Sequence, residues 1–140
     1  MAAAAEGAGL VFLNNPNNPT ATVHGAKAIE DFVRLVRSSS PETTILIDEA
    51  YHEYVTDRDY RSAVPLALAT PNVFVARTFS KAYGMAGLRI GFAIGAAETM
   101  MLLARLKMPY NVNVFGIAAA LAALNDERHI EEEQSRNTEV

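Results

Sequence analysis

Residues 78–91 read Thr-Phe-Ser-Lys-Ala-Tyr-Gly-Met-Ala-Gly-Leu-Arg-Ile-Gly. Two hydroxyl residues, Thr78 and Ser80, precede Lys81, and Arg89 follows it in the same stretch. A lysine amine can condense with an aldehyde, hydroxyl and guanidinium groups can bind a phosphate, and glycines let the backbone approach a flat ring. Pyridoxal phosphate carries an aldehyde and a phosphate on one small ring, so the stretch predicts a site for this cofactor.

A second cluster, Asp48-Glu49-Ala50-Tyr51, directly follows the apolar run 43–47, which we interpret as a buried strand. In an open α/β sheet, ligands lie beyond the carboxyl ends of the strands, where Asp48 is expected. A carboxylate there can keep a pyridine nitrogen protonated. Tyr51 shares a helical face with Asp48 if a helix begins at Asp48. The simpler alternative is that Asp48 is only the N-cap of that helix.

The third cluster is Asn14-Asn15-Pro16-Asn17-Asn18-Pro19-Thr20, which follows the short apolar strand 10–13. Its two prolines fix φ and keep the preceding asparagines out of the helical region, so the segment is a rigid, extended turn. Amide side chains on such a turn can donate a hydrogen bond to a ring hydroxyl. An ordinary turn accounts for the same residues.

Together the three clusters resemble the class I and II (fold type I) pyridoxal-phosphate aminotransferases, and most closely the histidinol-phosphate aminotransferase branch. The resemblance runs from about Leu10 to about Leu124. The family's Asn-Pro-Thr-Gly element corresponds to residues 18–21 and its Ser/Thr-x-Ser-Lys element to residues 78–81. The other matches are to single positions, namely Asp48 and Tyr51 of the family's Asp-x-x-Tyr element and the phosphate-binding arginine, Arg89.

The resemblance implies a role for each matched residue. Lys81, Asp48 and Tyr51 would be catalytic: Lys81 would bind the cofactor's aldehyde covalently and later move the proton at the substrate's α-carbon. Asp48 would pair with the pyridine nitrogen. Asn18 and Tyr51 would hydrogen-bond the ring oxygen. The phosphate would be bound by Thr78, Ser80 and Arg89.

The chain departs from the family at Ala21, where the family usually has glycine. If this position requires a positive φ, alanine costs on the order of 1 kcal/mol there and can tilt the turn that carries Asn18.

The pattern of apolar residues predicts a three-layer α/β fold with a mostly parallel sheet. A helical stripe at residues 29–36 separates the first two strands and ends near Ser38-Ser39-Ser40-Pro41. The connection after the lysine stretch is too short for a helical crossover, so the last strand should run antiparallel. The predicted strands are 10–13, 44–48, 73–76 and 90–94, and the later helices are about 96–107 and from Asn113, a good N-cap, to Leu124.

Compared with the family, the chain corresponds to the middle of a large domain, so the predicted sheet is incomplete. We expect residues 1–124 to form a partial pyridoxal-phosphate-binding domain. Residues 125–140 form an acidic tail, either the start of an interdomain helix or a solvated end. A sheet without all of its strands exposes edges and apolar surface, which favours association or low stability.

Three functional interpretations remain open. The resemblance implies transfer of an amino group between an amino donor, histidinol phosphate or a related amino acid, and a 2-oxo acid in two half-reactions. Decarboxylases and carbon–sulfur lyases share the same motifs. The third interpretation is a truncated, inactive core.

The amino-acid composition argues against nucleic acid, membranes and metal ions as binding partners. Half of the residues are hydrophobic, a fifth are charged, and the net charge is −4. The sequence has no basic patch for nucleic acid and no stretch typical of a membrane span or signal peptide. Cysteine is absent, and Glu49 and His52 form a single Glu-x-x-His pair without a second copy, so we expect no metal site. We expect a cytoplasmic protein, and the resemblance implies a homodimer.

Overall fold

Four strands form one mixed sheet in the order β1-β2-β3-β4 in the computed structural model, which describes residues 5–139. The parallel pairs are β1 with β2 and β2 with β3, whereas β3 and β4 are antiparallel. The predicted α/β fold, with a mostly parallel sheet and one antiparallel strand, is therefore confirmed. The strands are β1 (Leu10–Asn14), β2 (Thr44–Asp48), β3 (Val73–Thr78) and β4 (Gly91–Gly95).

Five α-helices accompany the sheet in the described part of the chain. Short 3₁₀ turns follow β2 at His52–Tyr54 and precede β4 at Ala86–Leu88. No helix among residues 5–139 is long and apolar enough to cross a membrane. The helices are α1 (Ala26–Ser39), α2 (Val64–Ala69), α3 (Ala97–Ala104), α4 (Val114–Ala123) and α5 (Glu127–Thr138).

Helix α1 buries the apolar stripe that its sequence predicts. The stripe repeats at the three- and four-residue spacing that lines up one face of a helix, and it joins the inward-facing residues of β2 and β3 in one core. Side chains alternate between the faces of a strand, so every second residue of β2 and β3 lies on this core face. The core members are Ile29, Phe32, Val33 and Val36 of α1 and Ile45, Ile47, Val73 and Val75 of the strands.

A second, smaller core lies beside the lysine stretch. Phe79, Ile90 and Ala120 are buried in it, with Tyr83 and Phe92 packed against it. Phe79 contacts the rings of Tyr83 and Phe92 at centroid distances of 4.8 and 5.4 Å. This cluster joins the loop after β3 to β4 and α4.

The C-terminal helices begin at side-chain caps. Asn113 Oδ1 accepts a hydrogen bond from Gly116 N at 2.7 Å, as its position before α4 predicts. Asp126 Oδ1 accepts one from His129 N at 3.1 Å and starts α5. The acidic tail is thus helical as far as Thr138, and α3 is shorter than the helix predicted over 96–107.

Candidate active site

An open cleft of about 530 Å³ lies where β2 and β3 end. Asp48 is the last residue of β2 and Thr78 the last residue of β3, and both line this cleft. Alternation along the strands puts their side chains on the face opposite the α1 core. Ser80, Lys81 and Arg89 also line the cleft, so most of the residues predicted from the sequence lie together.

The loop that carries Lys81 is fixed by a buried aromatic side chain and by backbone hydrogen bonds. Phe79 is buried, and its N–H donates to the Ile90 carbonyl at 3.1 Å. Thr78 Oγ1 accepts a hydrogen bond from Ser80 N at 3.0 Å, which tightens the turn at the end of β3. Gly84 N donates to the Lys81 carbonyl at 2.8 Å, and its φ of 68° favours glycine at this position. Lys81 itself is exposed.

Arg89 sits at the edge of the cleft in a left-handed backbone conformation, with φ of 55°. This conformation costs a non-glycine residue about 1–2 kcal/mol, and such strain is concentrated at functional sites. Arg89 Nη1 donates to the Ala86 carbonyl at 2.7 Å. The guanidinium is therefore tied to the 3₁₀ turn that precedes it.

The segment after β2 differs from the expected helix. Asp48 is still in the strand, and its Oδ1 accepts a hydrogen bond from Ala50 N at 3.0 Å. The helical turn starts only at His52, so both the helix beginning at Asp48 and the N-cap role of Asp48 were wrong. The aspartate satisfies the backbone two residues ahead and forms a turn in place of a helix start.

Tyr51 and Asn18 lie beside Lys81 but line a separate cavity of about 350 Å³. Lys81 Nζ is 5.1 Å from the centroid of the Tyr51 ring, within the range of a cation–π contact. Asn18 Nδ2 donates to the Tyr51 hydroxyl at 2.6 Å. Hydrogen bonding by Lys81, and then by Asn18, lowers the pKa of Tyr51. The three residues thus connect the two cavities.

The Asn-Pro turn is fixed to β2 by a buried asparagine that the sequence analysis did not assign. Asn15 N donates to the Asp48 carbonyl at 2.9 Å. Its side chain pairs with the His24 backbone, donating from Nδ2 to the carbonyl at 3.0 Å and accepting from the N–H at 2.8 Å. Both Asn–Pro bonds of the turn are cis, and Ala21 has φ of 53°. The condition for strain at Ala21 is therefore met.

Glu49 and Arg77 form a second unassigned group next to the cleft, and Arg77 is part of the cleft lining. The Glu49 side chain is 1% exposed, and its Oε2 accepts hydrogen bonds from Arg77 Nη2 at 2.8 Å and Nε at 3.1 Å. Ser62 Oγ and Ala63 N also donate to this carboxylate. In the sequence, the only indication of this pair was an Asp-Glu run before a turn together with an arginine at the end of a neighbouring strand.

The described residues contain no cluster of three side chains that could hold a metal.

The donor set of the cleft fits pyridoxal phosphate. It combines a primary amine, a carboxylate, hydroxyl groups and a guanidinium on the wall of one cleft. An aldehyde, a pyridine nitrogen and a phosphate each find a chemically matched side chain in this set.

The family model for aminotransferase class I and II matches residues 1–139. The chain therefore belongs to the class I and II aminotransferase family. Members of this family use pyridoxal phosphate as their cofactor.

Similar proteins agree with this assignment. The chain is 49% identical over 117 residues to histidinol-phosphate aminotransferase 1 of Cupriavidus pinatubonensis, covering 84% of this chain and 30% of that protein. It is 42% identical to histidinol-phosphate aminotransferase of Moorella thermoacetica, covering 93% and 33% respectively.

The fold is also similar to a solved structure. The crystal structure of histidinol-phosphate aminotransferase from Sinorhizobium meliloti, in complex with pyridoxal-5'-phosphate, matches with a TM-score of 0.85 and 35% identity. The match covers 95% of this chain and 35% of that one. The chain thus spans about a third of the length of these relatives.

Proposed function

We propose that this chain carries the cofactor-binding core of an enzyme that transfers an amino group from an amino donor to a 2-oxo acid. The observation that carries the proposal is the shared cleft, which is lined by Lys81, Asp48, Thr78, Ser80 and Arg89. Membership of the class I and II aminotransferase family supports the same reaction.

Each candidate residue, in the cleft or in the cavity beside it, has a proposed task in holding the cofactor. Asp48 keeps the ring nitrogen protonated. Asn18 and Tyr51 hydrogen-bond the ring oxygen; their mutual hydrogen bond of 2.6 Å holds both groups in place beforehand. The phosphate is bound by two hydroxyls and a guanidinium, those of Thr78, Ser80 and Arg89.

When bound, pyridoxal phosphate supplies an aldehyde for the amino group and a ring that withdraws electrons from the α-carbon. Lys81 would hold that aldehyde through Nζ. The free amine of Lys81 then takes the proton from the α-carbon of the amino donor. Tyr51 beside Nζ would hold Lys81 in place once Lys81 carries that proton, because its ring attracts the ammonium form at 5.1 Å.

For the whole protein, we propose histidinol phosphate or a related amino acid as the amino donor, and hence a place in histidine biosynthesis. The relatives from Cupriavidus pinatubonensis and Moorella thermoacetica carry the name of that activity. We also propose a homodimer in the cytoplasm. Residues 1–124 would belong to the cofactor-binding large domain, and residues 125–140, which include α5, would begin the helix that leads to the next domain.

Product analysis tests the reaction. The chain is incubated with pyridoxal phosphate, 2-oxoglutarate and one amino donor at a time, histidinol phosphate first. Amino transfer predicts glutamate and the deaminated donor in equal amounts. Release of carbon dioxide would indicate a decarboxylase, and release of a thiol with ammonia from a sulfur amino acid would indicate a lyase. A Lys81→Arg variant, which keeps the charge but not the nucleophilic amine, is the matched control; equal turnover by this variant would contradict the assignment of Lys81.

A further inference from the structure

The buried pair of Glu49 and Arg77 connects the two strand ends that carry the site. Glu49 directly follows Asp48, and Arg77 directly precedes Thr78. The Glu49 N–H donates to the Ala76 carbonyl at 2.9 Å and extends the β2–β3 ladder by one position. Asp48 and Ala76 are register partners in that ladder.

Strand alternation places the pair and the cleft residues on opposite faces of the sheet. Asp48 and Thr78 have the parity of the cleft face, whereas Glu49 and Arg77 have the parity of Ile47 and the α1 core. Glu49 therefore braces the strand ends from the core face, and Arg77, which also lines the cleft, pairs with it there. The ion pair can affect the distance between the two strand ends without direct contact between Glu49 and a bound ligand.

The same carboxylate also fixes the returning chain after Tyr51. Glu49 Oε1 accepts from Ala63 N at 2.6 Å, and Oε2 accepts from Ser62 Oγ at 2.8 Å. Arg77 Nη2 donates to Ser62 Oγ as well, at 2.8 Å. One buried carboxylate thus ties the end of the loop that carries Tyr51 to β3, the strand that leads to Lys81.

A buried carboxylate is stable only when its oxygens are paired. Arg77 Nε and Nη2 both donate to the one oxygen Oε2 of Glu49, and two donors from one planar group fix direction as well as distance. A salt bridge of this kind is weak evidence for overall stability, because desolvation opposes the attraction between the charges. Its geometric effect is specific, since a planar guanidinium against a carboxylate allows little sliding of one strand end along the other.

We infer that Glu49 and Arg77 are positioning residues, which set the separation between Tyr51 and Lys81 by locking the ends of β2 and β3. Glu49 and Arg77 would affect a bound cofactor only through the positions of Tyr51 and Lys81. The role of Lys81 as the cofactor's anchor rests on the proposed function, whereas the Tyr51–Lys81 contact is a property of the chain itself.

The Tyr51 hydroxyl offers a readout that needs no cofactor. The pKa of Tyr51 is lowered by hydrogen bonding to Lys81 first and to Asn18 second. Burial raises the pKa of the tyrosines at 54, 60 and 83. A change in Tyr51 titration that appears in the charge-balanced double variant as well as in Glu49→Gln therefore reports a change in the Tyr51–Lys81 geometry.

The experiment compares Glu49→Gln, Arg77→Lys and the charge-balanced double variant Glu49→Gln/Arg77→Gln with the wild type. Asp31→Asn is the matched control, since Asp31 forms exposed ion pairs with Lys27 and Arg34 on α1. Phenolate absorbance is followed from pH 7 to pH 12, and subtraction of a Tyr51→Phe titration isolates Tyr51. Circular dichroism establishes that each variant is folded.

In a second arm, pyridoxal phosphate is trapped on the chain with borohydride, and peptide mass spectrometry gives the share on Lys81 against Lys27 and Lys107. We expect Glu49→Gln and the double variant to move the Tyr51 titration up towards its ordinary value. They should also lower the ratio of label on Lys81 to label on the other two lysines about tenfold, because catalytic geometry is sensitive to displacements near 1 Å. Arg77→Lys, which keeps the charge without the paired N–H donors, should lie between these variants and the wild type. Asp31→Asn should match the wild type.

Folded variants with wild-type Tyr51 titration and a wild-type Lys81 share would overturn the inference and leave the pair a purely structural contact. If Glu49→Gln does not fold, Arg77→Lys decides between the same two outcomes. Absence of selective Lys81 labelling in the wild type would count against the proposed function alone, because the tyrosine titration still tests the positioning role.

Discussion

The central strands β2 and β3 and the chain after the sheet bury their apolar residues to very different extents. Ile45, Ile47 and Val73 in the strands are 0% exposed, whereas Leu106 and Phe115 after the sheet are 81% and 78% exposed. Exposed apolar surface of this kind is typical of regions that other protein covers. The candidate site lies at the ends of β2 and β3, next to the well-packed core, while Asn18, Lys81 and Arg89 are themselves exposed.

Truncation of matched aliphatic residues in the two regions gives the largest expected effect. Ile47→Ala should lower the free energy of unfolding by about 2–5 kcal/mol, because it removes buried methyl groups and leaves a cavity. Leu121→Ala in α4, where the side chain is 61% exposed, should change it by less than about 0.5 kcal/mol. Urea unfolding followed by circular dichroism measures both values, and similar losses at the two positions would remove the distinction between the regions.

A histidine behind the site makes the stability of the sheet region depend on pH. Burial, followed by the charge of Arg77, lowers the pKa of His52, whose Nδ1 lies 3.1 Å from the Tyr60 hydroxyl. The unfolded chain therefore binds a proton more readily than the folded chain. The stabilisation is complete above the ordinary histidine pKa of about 6.5, and it is lost as the pH falls below that value towards the folded pKa.

The expected slope from His52 is at most about 1.4 kcal/mol per pH unit, since one proton is involved. Unfolding free energies at pH 8, 7, 6 and 5 should fall more steeply for the wild type than for His52→Gln. Parallel curves for the two proteins would show that His52 titrates alike in the folded and unfolded states.

The strained turn next to the site gives a smaller effect of opposite sign. Ala21→Gly should stabilise the chain by about 1 kcal/mol, because glycine adopts the observed φ of 53° without steric cost. The control is Ala118→Gly inside α4, which should destabilise by about 1 kcal/mol. Thermal unfolding of the two variants and the wild type measures both changes in stability. A destabilised Ala21→Gly protein would mean that the turn is not strained.

The sequence predicted the strands well because their apolar runs are short and bounded by turn residues. β1, β2 and β4 lie within one residue of the expected bounds, and the antiparallel direction of β4 followed from the short connection after the lysine stretch. Helix α2 was not predicted. It has only six residues, and so short a segment carries little periodicity.

The grouping of the candidate site residues was predictable in part. Asp48 and Thr78 end two parallel strands, so both lie at the same edge of the sheet. The order of strands in the sequence is enough to predict this. The hydrogen bond of Asn18 to Tyr51 joins residues far apart in sequence. Likewise, Glu49 could not be paired with Arg77 from sequence, because the choice depends on which face of each strand end is buried. The expected functional roles of these residues stay predictions.

The most direct test of the account is the site of cofactor attachment. The chain has three lysines, Lys27, Lys81 and Lys107, so borohydride reduction with pyridoxal phosphate and peptide mass spectrometry can place the adduct. Lys107→Arg serves as the control for Lys81→Arg. The account predicts close to one adduct per chain, confined to Lys81 and lost only in Lys81→Arg. Adducts spread evenly over the three lysines, or no adduct at all, would contradict it.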